Sequence, residues 1–171
     1  MAFDSAVINF AVYENSKEYI GTASATMPDI SLLTASHSGA GIAGNIEDVI
    51  LGHVDTMTLG LNFKTLNENA FKLCETRYHD IDLRVAQQEE DPVSGTIKVR
   101  SVKHIMRVIP KKTGGGGVAP ASAADVSGEY VVRYWKTIID GKKVLEIDPL
   151  NFICYINGSD VLAEVKAALG K

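Results

Sequence analysis

Hydrophobic and polar positions alternate along much of this chain with the two-residue period of half-buried strands. Between Val54 and Phe63, residues Met57, Leu59, Leu61 and Phe63 fall on one side and Thr56, Thr58 and Asn62 on the other, the pattern of one packed and one wetted face. Ile81, Leu83 and Val85 alternate with Asp82 and Arg84 in the same way. Val7 to Tyr13 is apolar and β-prone, Glu14 to Lys17 is a polar turn, and Glu18 to Thr26 resumes. An N-terminal hairpin is therefore expected, stopped by Met27-Pro28. Thr96 to Ile109 slips in phase: Ile97 and Val99 share one parity, Val102, Met106 and Val108 the other. A bulge near Ser101 would reconcile the two halves, since one extra residue turns every later side chain over. Glu129 to Ile139 reads as a further strand ending at Asp140-Gly141, a strong hairpin turn.

The stretch from 140 to 160 is the most punctuated. Lys142 to Ile147 is a short strand, and Asp148-Pro149 breaks it, because the proline ring fixes its own φ and restricts the residue before it. Leu150 to Ile156 is extended again, and Asn157-Gly158 admits positive φ ahead of a helix. Helical periodicity is confined to two places. Leu66 to Thr76 puts Leu66, Ala70, Leu73 and Cys74 on one face with Asn67 as a cap. Ser159 to Leu169 carries a stripe of Val161, Leu162, Val165, Ala168 and Leu169, with Ser159 or Asp160 as its cap and Gly170 at its end.

These elements predict a mainly β fold, an antiparallel β-sandwich or barrel with one flanking helix and a short C-terminal helix. Residues 1–171 read as a single domain with long loops at 28–45 and 111–127.

Composition narrows the function classes. Apolar residues make up 46% and charged residues 22%, with a formal net charge of −4. That is globular composition without the basic face a general nucleic-acid binder uses. Cys74 and Cys154 lie far apart with no partner motif, which predicts buried free thiols and a reducing compartment. No signal-peptide pattern opens the chain and no long apolar run interrupts it, so a soluble cytosolic domain is expected.

Candidate chemistry thins out on inspection. In Lys111-Lys112-Thr113-Gly114-Gly115-Gly116-Gly117 the lysines precede the glycines and a proline follows, the reverse of a P-loop. Gly39-x-Gly41-x-x-Gly44 matches a dinucleotide fingerprint only formally, since no buried parallel strand leads into it. His37, His53, His79 and His104 share no ligand spacing. Asp80 and Asp82 sit at strand spacing, and these acids, with Glu47 and Glu90, read as a solvated edge. No catalytic, cofactor-binding or metal constellation assembles, and no cofactor is expected.

The C-terminal run of Arg133-Tyr134-Trp135, Asp140-Gly141-Lys142, Glu146-Ile147-Asp148, Asn151, and Asn157-Gly158 with Asp160 and Leu162 resembles that of the major tail tube proteins of contractile-tailed bacteriophages. Tyr19-Ile20-Gly21, Met27-Pro28 and a glycine-rich loop leading to Gly52 and the Val54 strand agree in order. One departure is Ser38-Gly39-Ala40-Gly41-Ile42, where the family usually has a glycine pair followed by methionine.

The resemblance implies a structural subunit. It would form hexameric rings that stack into the inner tube of a contractile tail, with sheath protein, baseplate or tube initiator and tail terminator as partners. Assembly would take place in the host bacterial cytoplasm, and DNA would pass without specific binding. The loop Ser38, Gly39, Ala40, Gly41, Ile42 and Gly44 is the candidate inter-subunit contact. Thr56, Thr58 and Asn62 are the candidate luminal face. Asp140, Gly141, Glu146, Asp148, Asn151, Asn157 and Gly158 form the family-like C-terminal block. A rival with the same fold is the tube of a DNA-free contractile bacteriocin, injection or secretion system. A more distant rival is a monomeric β-sandwich binding module, for which 7% aromatic residues and one tryptophan leave little material for a platform.

Overall fold

A computed structural model of the chain describes residues 2–21 and 24–171. Twelve strands appear in chain order: β1 (Phe3–Glu14), β2 (Glu18–Ile20), β3 (Ser24–Thr26), β4 (Leu32–His37), β5 (Ile46–Val54), β6 (Met57–Phe63), β7 (His79–Asp91), β8 (Thr96–Gly114), β9 (Val126–Ile139), β10 (Lys142–Asp148), β11 (Ile153–Ile156) and β12 (Ser159–Asp160). Two short helices, α1 (Glu68–Lys72) and α2 (Ala163–Ala168), interrupt them. Ten strands form one open antiparallel sheet in the order β12-β11-β10-β9-β8-β7-β1-β2, with β6 on β9 and β3 on β6. This is the antiparallel, sandwich-like β fold that the alternation predicts.

Strand β9 organises the sheet. One edge carries β8, and the other carries β6 along Val126–Val132 and then β10 from Trp135 to Ile139. The change of partner falls at Arg133, the extra residue where the β8–β9 register passes from Val108–Val132 to Arg107–Tyr134. A bulge there increases the local twist and lets β6 and β10 diverge. Met57, Leu59, Leu61 and Phe63 of β6 are all buried, as their parity requires, and pack with Ile81, Leu83, Met106, Val108, Tyr130 and Trp135. Each such side chain contributes about 1.5–3 kcal/mol by leaving water. Asn67 caps α1 by accepting from the Ala70 N–H at 2.9 Å, and Ala70 and Leu73 close the core.

Several expectations are corrected. Strands β7 and β8 pair without interruption from His79–Val108 to Asp91–Thr96, so no bulge lies at Ser101. The phase slip has another cause: Ile97 and Val99 are 62% and 66% exposed, on the outward face beyond the core. Register shifts lie instead in β1, at Arg133, and between Pro110 and Lys112. The N-terminal hairpin forms, with Val12 opposite Ile20. Its return strand does not continue to Thr26, because Ser24–Thr26 pairs with β6; Thr22 and Ala23 lie outside the described residues. Leu66 precedes α1 and is exposed.

The C-terminal helix starts late. Ser159 and Asp160 pair with Ile156 and Tyr155 as β12, so neither caps α2, which begins after Leu162 without a side-chain cap. Asp160 serves the turn instead, its Oδ1 accepting from the N–H groups of Cys154 and Leu162 at 3.1 Å each. Asp82, expected at a solvated edge, is buried, its Oδ2 3.1 Å from Arg84 Nη2 and 3.2 Å from Lys103 Nζ. Cys154 is buried and Cys74 half-buried, both as free thiols.

Candidate assembly surfaces

The segment 28–45 is more ordered than a loop. Leu32–His37 forms β4 and pairs with β5 in a separate two-stranded sheet, an arm that no other strand joins among the described residues. The predicted contact residues Ser38, Gly39, Ala40, Gly41, Ile42 and Gly44 form its tip, beyond the last pair His37–Ile46. There the Ile42 N–H donates to the Gly39 carbonyl at 3.1 Å, and Gly41 and Gly44 have φ of 93° and 146°.

Ile30, Leu32, Leu33, Ile46, Val49 and Leu51 on this arm are each more than 40% exposed. An isolated two-stranded hairpin is marginal in water, and so dense a run of exposed aliphatic groups marks an interaction surface. From Asp29 to Asp55 the arm holds four carboxylates and neither lysine nor arginine. Two of these acids brace its strands: Thr34 Oγ1 donates to Glu47 at 2.6 Å, and His37 Nε2 lies 3.3 Å from Asp48.

The arm's root is fixed. The Asp55 N–H donates to the Ser31 carbonyl at 2.7 Å. The register jumps from Leu32–Val54 to Thr34–Val49, and Gly52, with φ of 67°, lies within that irregular stretch.

The opposite end of β6 leads towards α1, and Lys112 of β8 lies opposite Glu129 of β9 at the level of Gly60. Lys64 follows the strand, and its carbonyl accepts from the Ala124 N–H at 2.7 Å. This ties it to the connection between β8 and β9, which is shorter than the predicted 111–127 loop because β8 runs to Gly114 and β9 starts at Val126. Lys64, Lys111 and Lys112 are exposed, and none has an ion-pair partner among the described residues. Val118 in the same connection is fully exposed.

Thr58 and Asn62 lie on the face of β6 away from the core, and Thr56 immediately precedes the strand. All three share a polar depression with Thr26, Ser127 and Glu129, and Asn62 Nδ2 donates to Ser24 Oγ at 3.1 Å. The depression also touches Asp29 and includes no lysine or arginine.

The C-terminal block residues build turns. Asp140 and Gly141, with φ of 47° and 79°, make the two-residue β9–β10 connection, and Asp140 Oδ1 accepts from the Ser101 N–H at 2.9 Å. Glu146 accepts from Lys143 at 2.7 Å and from Tyr134 at 2.9 Å. The Lys143 contact in particular holds the Glu146 carboxyl below its usual range. Asp148 caps the 3-10 turn Pro149–Asn151 through the Asn151 N–H at 3.2 Å. Asn157 and Gly158 join β11 to β12.

Sequence reasoning did not find the buried pair Glu14–His79. Glu14 Oε1 lies 2.7 Å from His79 Nδ1 and 3.1 Å from Arg77 Nη2, and Oε2 lies 3.4 Å from Lys72 Nζ. Burial works against the Glu14 charge, but His79 and the two cations outweigh it and hold the carboxyl below its usual value. The pair joins the end of β1 to the start of β7. Both partners fall where polar residues mark strand ends, so no local signal sets them apart.

The outer edge of β1 is open. It pairs with β7 along its length but with β2 only from Val12 to Glu14, leaving Phe3–Ala11 without a second neighbour among the described residues. An unpaired edge of that length is a template for another strand. No group of three or more metal-ligating side chains lies together among the described residues.

An open antiparallel sheet with a free edge and an exposed apolar arm defines a mainly β protein. A family model described as phage tail tube protein FII matches residues 4–170. The chain belongs to that family and is a structural tube protein. No curated protein sequence matches it. Among solved structures it is similar to a chain in the sheath/tube terminator of an extracellular contractile injection system, PVC. The identity is 13% and the TM-score 0.55, with 80% of this chain and 97% of that one covered. A chain of the PVC sheath–tube complex in the extended state is also similar, at 14% identity and a TM-score of 0.47, covering 77% of this chain and 88% of that one. At 13% identity the likeness to the terminator chain shows the fold alone.

Proposed function

We propose that this protein is the repeating subunit of the inner tube of a contractile tail or tail-like particle, assembling as hexameric rings that stack inside a sheath. The observation that carries this reading is the uncovered β4–β5 arm, whose exposed aliphatic surface requires another chain to cover it. The free edge of β1 supplies a second, lateral contact, because strand addition satisfies its unpaired backbone groups. A heterologous contact that closes makes a ring, and one that advances makes a filament. The tip residues Ser38 to Gly44 dock on neighbouring subunits or rings and become fully ordered there. Sheath, baseplate initiator and terminator are the remaining partners.

The polar depression around Thr56, Thr58 and Asn62 faces the lumen in this reading. Its acids and lack of bases suit a conduit, since a basic wall would retain phosphates by counterion release. DNA is the proposed cargo.

Electron microscopy of the chain produced together with the sheath and baseplate components of its own particle tests the proposal. Stacked six-fold rings with a central channel are expected. A chain that stays monomeric in that company would overturn the reading. Nucleic acid in the isolated particles would separate a genome conduit from a DNA-free injector.

A further inference from the structure

One buried ion cluster lies apart from the assembly surfaces. Glu14 at the end of β1 and His79 at the start of β7 are both fully buried. Around them the hairpin supplies Glu18, α1 supplies Lys72, and the connection from α1 to β7 supplies Glu75 and Arg77. Lys72 bridges Glu14 and Glu18. Arg77 bridges Glu14 and Glu75, with its Nε 2.7 Å from the Glu75 carboxylate. Asp80, the next acid along β7, pairs with Arg107 at 2.8 Å, and the residue opposite His79 on β8 is the apolar Val108.

The His79 ring has an oxygen at each nitrogen. Nδ1 lies 2.7 Å from Glu14 Oε1, and Nε2 lies 3.0 Å from the Glu75 carbonyl oxygen. A carbonyl accepts and cannot donate, so Nε2 carries a hydrogen. Lys72 and Arg77 both lie against the Glu14 carboxylate, which keeps it ionised and an acceptor as well. Nδ1 therefore carries a hydrogen too. Either neutral tautomer would set a bare nitrogen against an oxygen at hydrogen-bond distance with no hydrogen between them. With the ring charged, Glu14, Glu18 and Glu75 are matched by Lys72, Arg77 and His79, and the buried charges are paired as burial requires.

We propose that His79 is a buried imidazolium whose Nδ1 hydrogen fastens a proton-dependent clasp between the α1 segment and the sheet. Through Glu14 and Glu75 the ring joins the end of β1, the start of β7 and the chain between α1 and β7. Five residues of helix are too few to hold themselves, so α1 depends on this clasp together with Ala70 and Leu73 in the core. Loss of the Nδ1 hydrogen removes the bond to Glu14 and loosens a segment that presents Phe71 and Tyr78, 59% and 53% exposed. An unfolded histidine gives up that proton above about pH 6.5. Folding therefore takes a proton up there, and the stabilisation, full at lower pH, declines as pH rises. The clasp is independent of how copies assemble.

Nitrogen-15 NMR of the histidine-labelled chain at about pH 8, where a free imidazole is neutral, reads the proton directly. Of the four rings, one is expected to show two protonated nitrogens. Glu14→Gln, with folding checked by circular dichroism, should show none, which assigns the signal to His79. Four neutral rings in the wild type would overturn the proposal. That spectrum needs no variant, so it decides the matter even if Glu14→Gln does not fold. Hydrogen exchange reads the clasp itself. In Glu14→Gln the amides of 68–79 should exchange about tenfold faster, while those of β10 and β11 keep their wild-type rates. Unchanged exchange over 68–79, or an equal loss along the whole chain, would overturn the clasp.

Discussion

Gly52 and Leu162 interlock: a Cβ on residue 52 would overlap the isobutyl group of Leu162. Gly52 holds a φ of 67° in the irregular part of β5, and Leu162, 5% exposed, lies just before α2. The contact pins the root of the arm to the C-terminal block. Together with Val54, which packs against the core, it gives the hairpin its direction.

Gly52→Ala should therefore cost stability twice, through a positive φ and through overlap. The backbone share alone is about 1–3 kcal/mol. Leu162→Ala should cost about 2–5 kcal/mol through the cavity it leaves. The double variant should cost less than the sum, because removing the isobutyl group relieves the overlap. Urea melts of the four chains check this coupling, and strict additivity would mean that the two residues do not meet.

Glu14 makes stability fall in acid. Its carboxyl is held below its ordinary 4.5 by His79, Lys72 and Arg77 against the opposing effect of burial. The stabilisation is complete above pH 4.5 and is lost as pH drops through the lower value in the folded state. Glu14→Gln should flatten the acid limb of a plot of melting temperature against pH. At neutral pH it should cost about 1–3 kcal/mol, since a buried acceptor held by His79 and Arg77 loses its charge. An unchanged acid limb would assign the acid sensitivity to other carboxylates.

Tyr130 and Tyr134 govern the alkaline side. Burial is the main cause in both, and each phenol is pushed from 10 up to about 12. The stabilisation is full below pH 10 and disappears as pH rises towards 12. Absorbance near 295 nm should show a late phase in the folded chain that Tyr130→Phe diminishes. Gly128→Ala should disturb the same site, because its Cβ would lie 2.7 Å from the Tyr130 ring carbon Cζ. Overpacking of that kind costs about 1–3 kcal/mol.

The proposed luminal face predicts a separation of assembly from transport. Thr58→Lys with Asn62→Lys alters polar surface outside the core and should leave melting within about 0.5 kcal/mol of wild type. Tubes should form at normal yield. DNA passage should slow, and slow more at low salt, because the added ammonium groups hold phosphates. Ejection at the wild-type rate would place these residues away from the channel.

Strands whose inside and outside differ were legible before any coordinates. The parity of Met57, Leu59, Leu61 and Phe63 identified β6 and its buried face, since a strand with one packed side leaves that trace in sequence. Asp140-Gly141 and Asn157-Gly158 marked their turns because few residue types tolerate positive φ. Arm strand β4 was not legible. Leu32, Leu33, Thr34, Ala35, Ser36 and His37 show no alternation, because none of them joins the hydrophobic core. Ile97 and Val99 misled for a related reason: they are apolar positions on an outward face, and parity reports burial only where the core extends.

Sequence alone therefore determined the β class, the order of most strands, the main turns and the resemblance to tail tube proteins, all of which depend on local patterning. Tertiary structure decided what depends on distant residues meeting: the Glu14–His79 pair, the burial of Asp82 between Arg84 and Lys103, the change of partner along β9, and the Gly52–Leu162 contact. It also set the β4–β5 arm apart as a two-stranded sheet of its own. Charge and burial are set by neighbours in space, and those neighbours lie tens of residues away along the chain.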